Sequence, residues 1–187
     1  MATKIAVFAS GSGSNFQAIA ESIDRGELSA TIELVVTDKP GAYVVTRAKN
    51  LGVEVLELTP KNFESKVAYE TKIIEVLKEK DIEWVVLAGY MRLIGETLLS
   101  AFENRIINIH PSLLPSFPGK DAIGQAMSHG VKVTGVTVHY VDAGMDTGKI
   151  IAQGAVNVVD GDHEETEARI HKLEHALYTK TLQQLFE

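Results

Sequence analysis

Short apolar runs alternate with amphipathic stretches along almost the whole chain, and this alternation limits the fold more than any other feature. Ile5–Ala9, Ile32–Val36, Val53–Leu56, Trp84–Leu87 and Ile106–Ile109 are mostly apolar segments that read as strands. Between the first two, Phe16–Arg25 places apolar residues at 16, 19, 20 and 23, which is helical spacing. Ala42–Leu51 reads as a second helix stopped by Gly52, and Phe63–Glu79 as a longer third. Asp121–His129 reads as another, with Asp121 near its start. Val133–Tyr140 and Ile150–Val158 alternate with a period of two, and His163–Phe186 closes the chain as an amphipathic helix. Alternating strand and helix units imply an α/β fold, a doubly wound, mostly parallel sheet with helices on both faces. The early strands are continuously apolar, as strands covered on both faces are. The last two are expected to form an antiparallel element near the C-terminus. No Pro-, Gly- or Ser-rich linker and no repeat interrupts the pattern, so a single domain over 1–187 is expected.

Composition removes several function classes. A net charge of −7 argues against a broad basic face for nucleic acid or membrane. The chain has no cysteine, which excludes disulfides, thiolate metal sites and thiol nucleophiles. Its longest apolar run, Trp84–Gly89, is too short to span a bilayer. Met1 leads directly into strand pattern with no apolar leader, so a cytoplasmic location is expected.

Two segments carry chemistry. Ser10-Gly11-Ser12-Gly13-Ser14-Asn15 joins the first strand to the first helix. Glycines let backbone approach a ligand, and a helix N-terminus offers unpaired N–H groups, so this loop suits a phosphate or carboxylate. It departs from the G-x-G-x-x-G spacing, since Phe16 stands where the third glycine belongs, and it lacks the lysine of a P-loop. The alternative is a tight turn in which Ser14 or Asn15 caps the helix.

The second segment is Asn108-Ile109-His110-Pro111-Ser112-Leu113-Leu114-Pro115, at the end of a strand. Side chains at i and i+2 share a face, so Asn108 can donate a hydrogen bond and His110 can exchange a proton at the same point. Two prolines stiffen the exit. Farther on, Asp142 and Asp146 lie in a glycine-containing loop between strands. Asp142 reads as a turn cap. Asp146 is expected to reach His110, orienting the ring and favouring its charged form. His139 reads as packing on a strand face. His163, Glu164 and Glu165 stand at a helix start, where acids are favoured anyway, and no metal site is expected. An amide donor, an imidazole and a carboxylate without a nucleophile suit an oxyanion formed by an external attacker, hence acyl transfer without a covalent enzyme intermediate.

Asn108–Gly119 (NIHPSLLPSFPG) closely resembles the signature of the folate-dependent phosphoribosylglycinamide formyltransferases of purine synthesis. Gly11–Asn15, Leu87–Ile94 (LAGYMRLI), Gly135–Ile151 and Glu174–Tyr178 fit the same family in the same order. The resemblance implies a Rossmann-like formyltransferase fold. It implies transfer of a formyl group from 10-formyltetrahydrofolate to the amine of glycinamide ribonucleotide, with small-molecule substrates only, in a monomer or homodimer. It makes Asn108, His110 and Asp146 catalytic. Gly13, Ser14 and Asn15 would hold the ribonucleotide phosphate, and Glu174, with His171 beside it, the ribose hydroxyls. Met91, Arg92, Leu93 and Ile94 would line the folate pocket, with the loop from Val141 to Asp146 closing over the pterin. Lys66 stands where some relatives carry Arg, near the folate tail, and there a point charge replaces a bidentate fork. The family also implies a cis Leu114–Pro115 bond.

Four other readings compete. A formyl-folate hydrolase would use the same three residues with water as attacker, usually behind an extra N-terminal regulatory domain. A methionyl-tRNA formyltransferase would need a second, basic RNA-binding domain. A nucleotide sensor on the same scaffold would keep the glycine loop without needing Asn108, His110 and Asp146 together. A nicotinamide oxidoreductase would want the third glycine and an acid ending the second strand, a position Asp38 could fill.

Overall fold

The computed structural model describes residues 1–187. The strands are β1 (Thr3–Phe8), β2 (Ala30–Thr37), β3 (Val55–Glu57), β4 (Trp84–Leu87), β5 (Ile106–His110), β6 (Val133–Tyr140) and β7 (Ile150–Asn157). The helices are α1 (Ser14–Asp24), α2 (Tyr43–Asn50), α3 (Lys66–Glu79), α4 (Glu96–Ala101), α5 (Ala122–His129) and α6 (His163–Leu185). One seven-stranded sheet has the order β3-β2-β1-β4-β5-β6-β7. Strands β1 to β5 pair in parallel, and β6 and β7 add antiparallel pairs at the edge. This is the doubly wound, mostly parallel sheet with an antiparallel C-terminal element that the alternation implied.

The period of two along each inner strand sorts side chains to opposite faces and builds two cores. On β1, Ile5 and Val7 join Phe16 and Ile19 of α1 and Ile170, Tyr178 and Leu182 of α6 on one side. Ala6 and Phe8 join Tyr69, Ile73 and Leu77 of α3 and Leu98 of α4 on the other. Each large apolar side chain so buried contributes about 1.5–3 kcal/mol.

Local chemistry shifts some element ends. The third helix begins at Lys66, not Phe63, because Ser65 caps it, its Oγ accepting the Ala68 N–H at 3.0 Å. Pro60–Asn62 ahead of it forms a single 3-10 turn. The short α4 has no counterpart in the sequence reading. Helix α1 begins at Ser14, and its cap is Gly13, with φ of 75° and no side-chain hydrogen bond, instead of Ser14 or Asn15.

The order of the sheet reverses between β1 and β4. Strand β2 flanks β1 on one side and β4 flanks it on the other, each reached by a crossover. Crevices outside the carboxyl ends of strands at such a switch point are where open α/β sheets bind ligands.

Candidate active site

The carboxyl ends of β1, β4 and β5 open into a cleft of about 680 Å3. The glycine loop after β1, the segment after β4, the end of β5, one face of α6 and the loop between β6 and β7 all line it. Asn108, His110, Asp146, Gly13, Ser14, Asn15, Glu174, Met91, Arg92, Leu93, Ile94 and Val141 are thus brought together around one space. Lys66 is not among the lining residues. It is the exposed first residue of α3 and packs near Gly95.

Asn108 and His110 project from the same face of β5, as their spacing requires. The antiparallel register sets His139 directly opposite Asn108 and Thr137 opposite His110. His139, read from the sequence as a packing residue, therefore belongs to the site. It is 2% exposed, and burial pushes its pKa down, against the opposing pull of the Tyr140 carbonyl and Asp146. The Tyr140 carbonyl lies 2.9 Å from Nδ1 and can only accept, so the proton sits there. That leaves a lone pair on Nε2, 3.4 Å from Asn108 Nδ2. Asn108 thus turns its NH2 group toward His139, and the second N–H stays free to donate.

The same logic assigns His110. Its Nε2 lies 2.9 Å from the Phe117 carbonyl and donates to it. The nitrogen left to gain and lose a proton is Nδ1, 3.5 Å from Asp146 Oδ2. That contact is largely screened from water, with the two side chains 7% and 12% exposed. Asp146 is held in turn by the Gly119 N–H, which donates to Oδ2 at 2.8 Å. Phe117 and Asp146 both adopt left-handed backbone, with φ of 51° and 56°. Such conformations in non-glycine residues concentrate at functional sites.

The exit from β5 is fixed by hydrogen bonds. Thr137 Oγ1 donates to the Ser112 carbonyl at 2.7 Å and accepts the Leu114 N–H at 3.1 Å. Ser112 Oγ donates to the Ser116 carbonyl at 2.6 Å. The Leu114–Pro115 bond is cis. In the β6–β7 loop, Asp142 caps its turn as expected, accepting from Gly144 N at 3.0 Å and Thr147 Oγ1 at 2.6 Å.

At the floor, Gly13 is forced by sterics. A Cβ there would lie 2.6 Å from Val44 Cγ2, and φ is +75°. Helix α1 has no side-chain cap, so the N–H groups of its first turn remain unpaired at the cleft, ready for an anion. Arg47 braces the loop from behind, its Nε donating to the Ser12 carbonyl at 2.7 Å.

On α6, buried Glu174 accepts from Asn15 Nδ2 at 3.1 Å and from His171 Nδ1 at 3.3 Å. The hydrogen bond that His171 donates to Glu174, reinforced by Glu167 at 3.2 Å, pushes the His171 pKa up to about 9 against the effect of burial. Tyr178, one helical turn on, donates from its buried hydroxyl to the Leu87 carbonyl at 2.7 Å and so ties α6 to the end of β4. At the mouth, Met91, Leu93 and Met145 are exposed apolar side chains, while Ile94 is buried. Arg92 lies over the Tyr69 ring, 5.6 Å from its centroid. Apolar groups rimming a polar cleft mark a place for a flat or greasy ligand.

The cleft therefore gathers unpaired helix amides, a buried carboxylate, a side-chain amide, an imidazole beside an acid, and an apolar mouth. No group of three or more His, Asp or Glu side chains is arranged to hold a metal ion.

Known proteins show the same arrangement of chain and sequence. A family model described as formyl transferase matches residues 3–182. Phosphoribosylglycinamide formyltransferase of Bacillus subtilis (strain 168) is 55% identical over 97% of this chain and 94% of its own. The human trifunctional purine biosynthetic protein adenosine-3 is 38% identical over 96% of this chain, which spans 18% of that longer protein. The crystal structure of glycinamide ribonucleotide transformylase 1 from Geobacillus kaustophilus superposes with a TM-score of 0.97, at 56% identity, covering 100% of both chains. With the fold, the cleft and these relatives in agreement, the chain is an enzyme of the formyl transferase family.

Proposed function

We propose that the chain transfers the formyl group of 10-formyltetrahydrofolate to the amine of glycinamide ribonucleotide, within one formyltransferase domain spanning residues 1–187. The observation that carries this reading is the convergence of Asn108, His110 and Asp146 between an anion cradle and an apolar mouth. The unpaired amides at Gly13, Ser14 and Asn15 suit the ribonucleotide phosphate, and Glu174 suits ribose hydroxyls as a buried acceptor. Met91, Arg92, Leu93, Ile94 and Val141 suit the folate ring system. Lys66 is outside the cleft lining but near Gly95, which follows the lining residue Ile94, and a contact with the folate tail is the role it suits.

The amine attacks the formyl carbon, and negative charge develops on the formyl oxygen. The free N–H of Asn108 and a protonated His110 Nδ1 stabilise that charge, with Asp146 holding the imidazolium. The bond from the formyl carbon to N10 of the folate then breaks. One proton leaves the attacking nitrogen and one reaches N10, so the products are formylated amine and tetrahydrofolate. His110 Nδ1, 3.5 Å from Asp146 Oδ2, suits the carrying of that proton.

The test is to mix enzyme and 10-formyltetrahydrofolate with and without glycinamide ribonucleotide and follow folate absorbance and formate. Turnover that requires the ribonucleotide and yields its formylated product supports the reading. Ribonucleotide-independent formate release would assign a hydrolase instead.

A further inference from the structure

Asp38, directly after β2, is a buried carboxylate, 8% exposed, yet it does not line the cleft. Its partner is a hydroxyl rather than a cation: Ser10 Oγ donates to Asp38 Oδ1 at 2.5 Å. Ser10 is 4% exposed, and its Oγ also accepts the backbone N–H of Met91 at 2.9 Å. An ionised carboxylate can only accept, so Asp38 fixes the direction of the Ser10 proton. A lone pair of Ser10 Oγ is thereby turned to the Met91 N–H.

This contact completes a seam between the exits of β1 and β4. Ala88 N–H donates to the Phe8 carbonyl at 2.8 Å, and Ser10 N–H to the Gly89 carbonyl at 3.0 Å. Those two bonds are backbone only and would form with many side chains. The bond at Met91 depends on Ser10 Oγ, and it lies where the chain turns out of the sheet to become the wall of the cleft. Tyr90, beside it, is fixed by its hydroxyl, 2.8 Å from that of Tyr69.

We propose that Ser10 and Asp38 are positioning residues for the formyl donor. In this view a buried carboxylate–hydroxyl relay holds the Met91 amide and so sets the Met91–Ile94 wall against which the donor packs. The proposal rests on the reading that this wall binds the folate. It also gives Asp38 a role that the nicotinamide alternative would have given to a ribose contact.

The test uses the full chain and the variants Ser10→Ala and Asp38→Asn, with KM for 10-formyltetrahydrofolate and for glycinamide ribonucleotide measured separately. Hydrogen exchange of the 88–94 peptide is read in parallel. Ser10→Ala should raise the donor KM about tenfold, the equivalent of one lost buried hydrogen bond, and speed exchange in that peptide. The ribonucleotide KM should rise less than the donor KM, since Ser10 opens the glycine loop but its side chain turns away to Asp38 and the Met91 amide. Asp38→Asn keeps an acceptor but frees the direction of the relay, and should raise the donor KM about threefold. If Ser10→Ala does not fold, Asp38→Asn alone is read by the same criteria. An unchanged donor KM, or equal rises in both KM values, overturns the relay. Failure of the folate reading would show differently, as absence of formyl transfer in the unaltered enzyme.

Discussion

Asp146 accepts the backbone N–H of Gly119 at 2.8 Å, so the carboxylate that faces His110 is held by the loop leaving His110's own strand. Two residues earlier in that loop, the Phe117 carbonyl accepts a hydrogen bond from His110 Nε2. One short segment thereby sets both the acid and the base face of the imidazole. Asp146→Asn retains an oxygen for Gly119 but removes the charge. The loop should stay closed while kcat falls by about 10²-fold or more, the range for loss of a positioned proton-transfer partner. Steady-state kinetics with a circular dichroism control checks it.

Asn108 and His139 should act as a unit. His139 Nε2 has only a lone pair to offer, and that lone pair orients the Asn108 amide. Asn108→Ala should cost about 10²–10³ in rate, as removal of an oxyanion donor does. His139→Gln should cost about tenfold by loosening the same group. In the double variant the losses should fail to add, because the second substitution acts on a group already gone. Additive losses would show that His139 acts elsewhere.

Gly13→Ala tests the cradle. The added Cβ would meet Val44 at 2.6 Å in a left-handed conformation. The strain costs roughly 1–2 kcal/mol and displaces the amides at the start of α1. The ribonucleotide KM should rise by about tenfold or more while the donor KM changes little. The two KM values, measured separately, decide it.

His171 makes stability depend on pH. Its pKa, pushed up to about 9 by Glu174, stands above the ordinary histidine value of 6.5 that the unfolded chain has. A raised folded pKa adds stability that is fully present below pH 6.5 and is lost as pH climbs through about 9. The Tm gap between the unaltered enzyme and His171→Gln should be widest below pH 6.5 and close above pH 9. A gap that is constant with pH would mean that the His171–Glu174 pair carries no charge-dependent stability. The side chain is 44% exposed, so solvent screening keeps the effect modest.

The parts of this enzyme legible in its sequence are those set by local periodicity. Apolar runs marked β1 and β4, a mostly apolar one marked β5, and i to i+2 spacing put Asn108 and His110 on one face. Contacts set by register were not legible. His139 meets Asn108 only because β5 and β6 pair antiparallel in one particular alignment, and nothing in the spacing of residues 108 and 139 announces that. Backbone partners were also hidden: the Phe117 carbonyl and the Gly119 amide act without their side chains. Helix α4 has six residues and is held by tertiary contacts, with Glu70 on α3 accepting the Gly95 and Leu98 N–H groups. The cap at α1 went to Gly13 because Val44 leaves no room for a side chain there.

The central claim is that an amide, an imidazole and a carboxylate stabilise one developing oxyanion, and His110→Ala tests it most directly. With both substrates saturating, the single-turnover rate of formyl transfer by the folded variant should fall at least about 10²-fold. A rate near that of the unaltered enzyme would contradict the account.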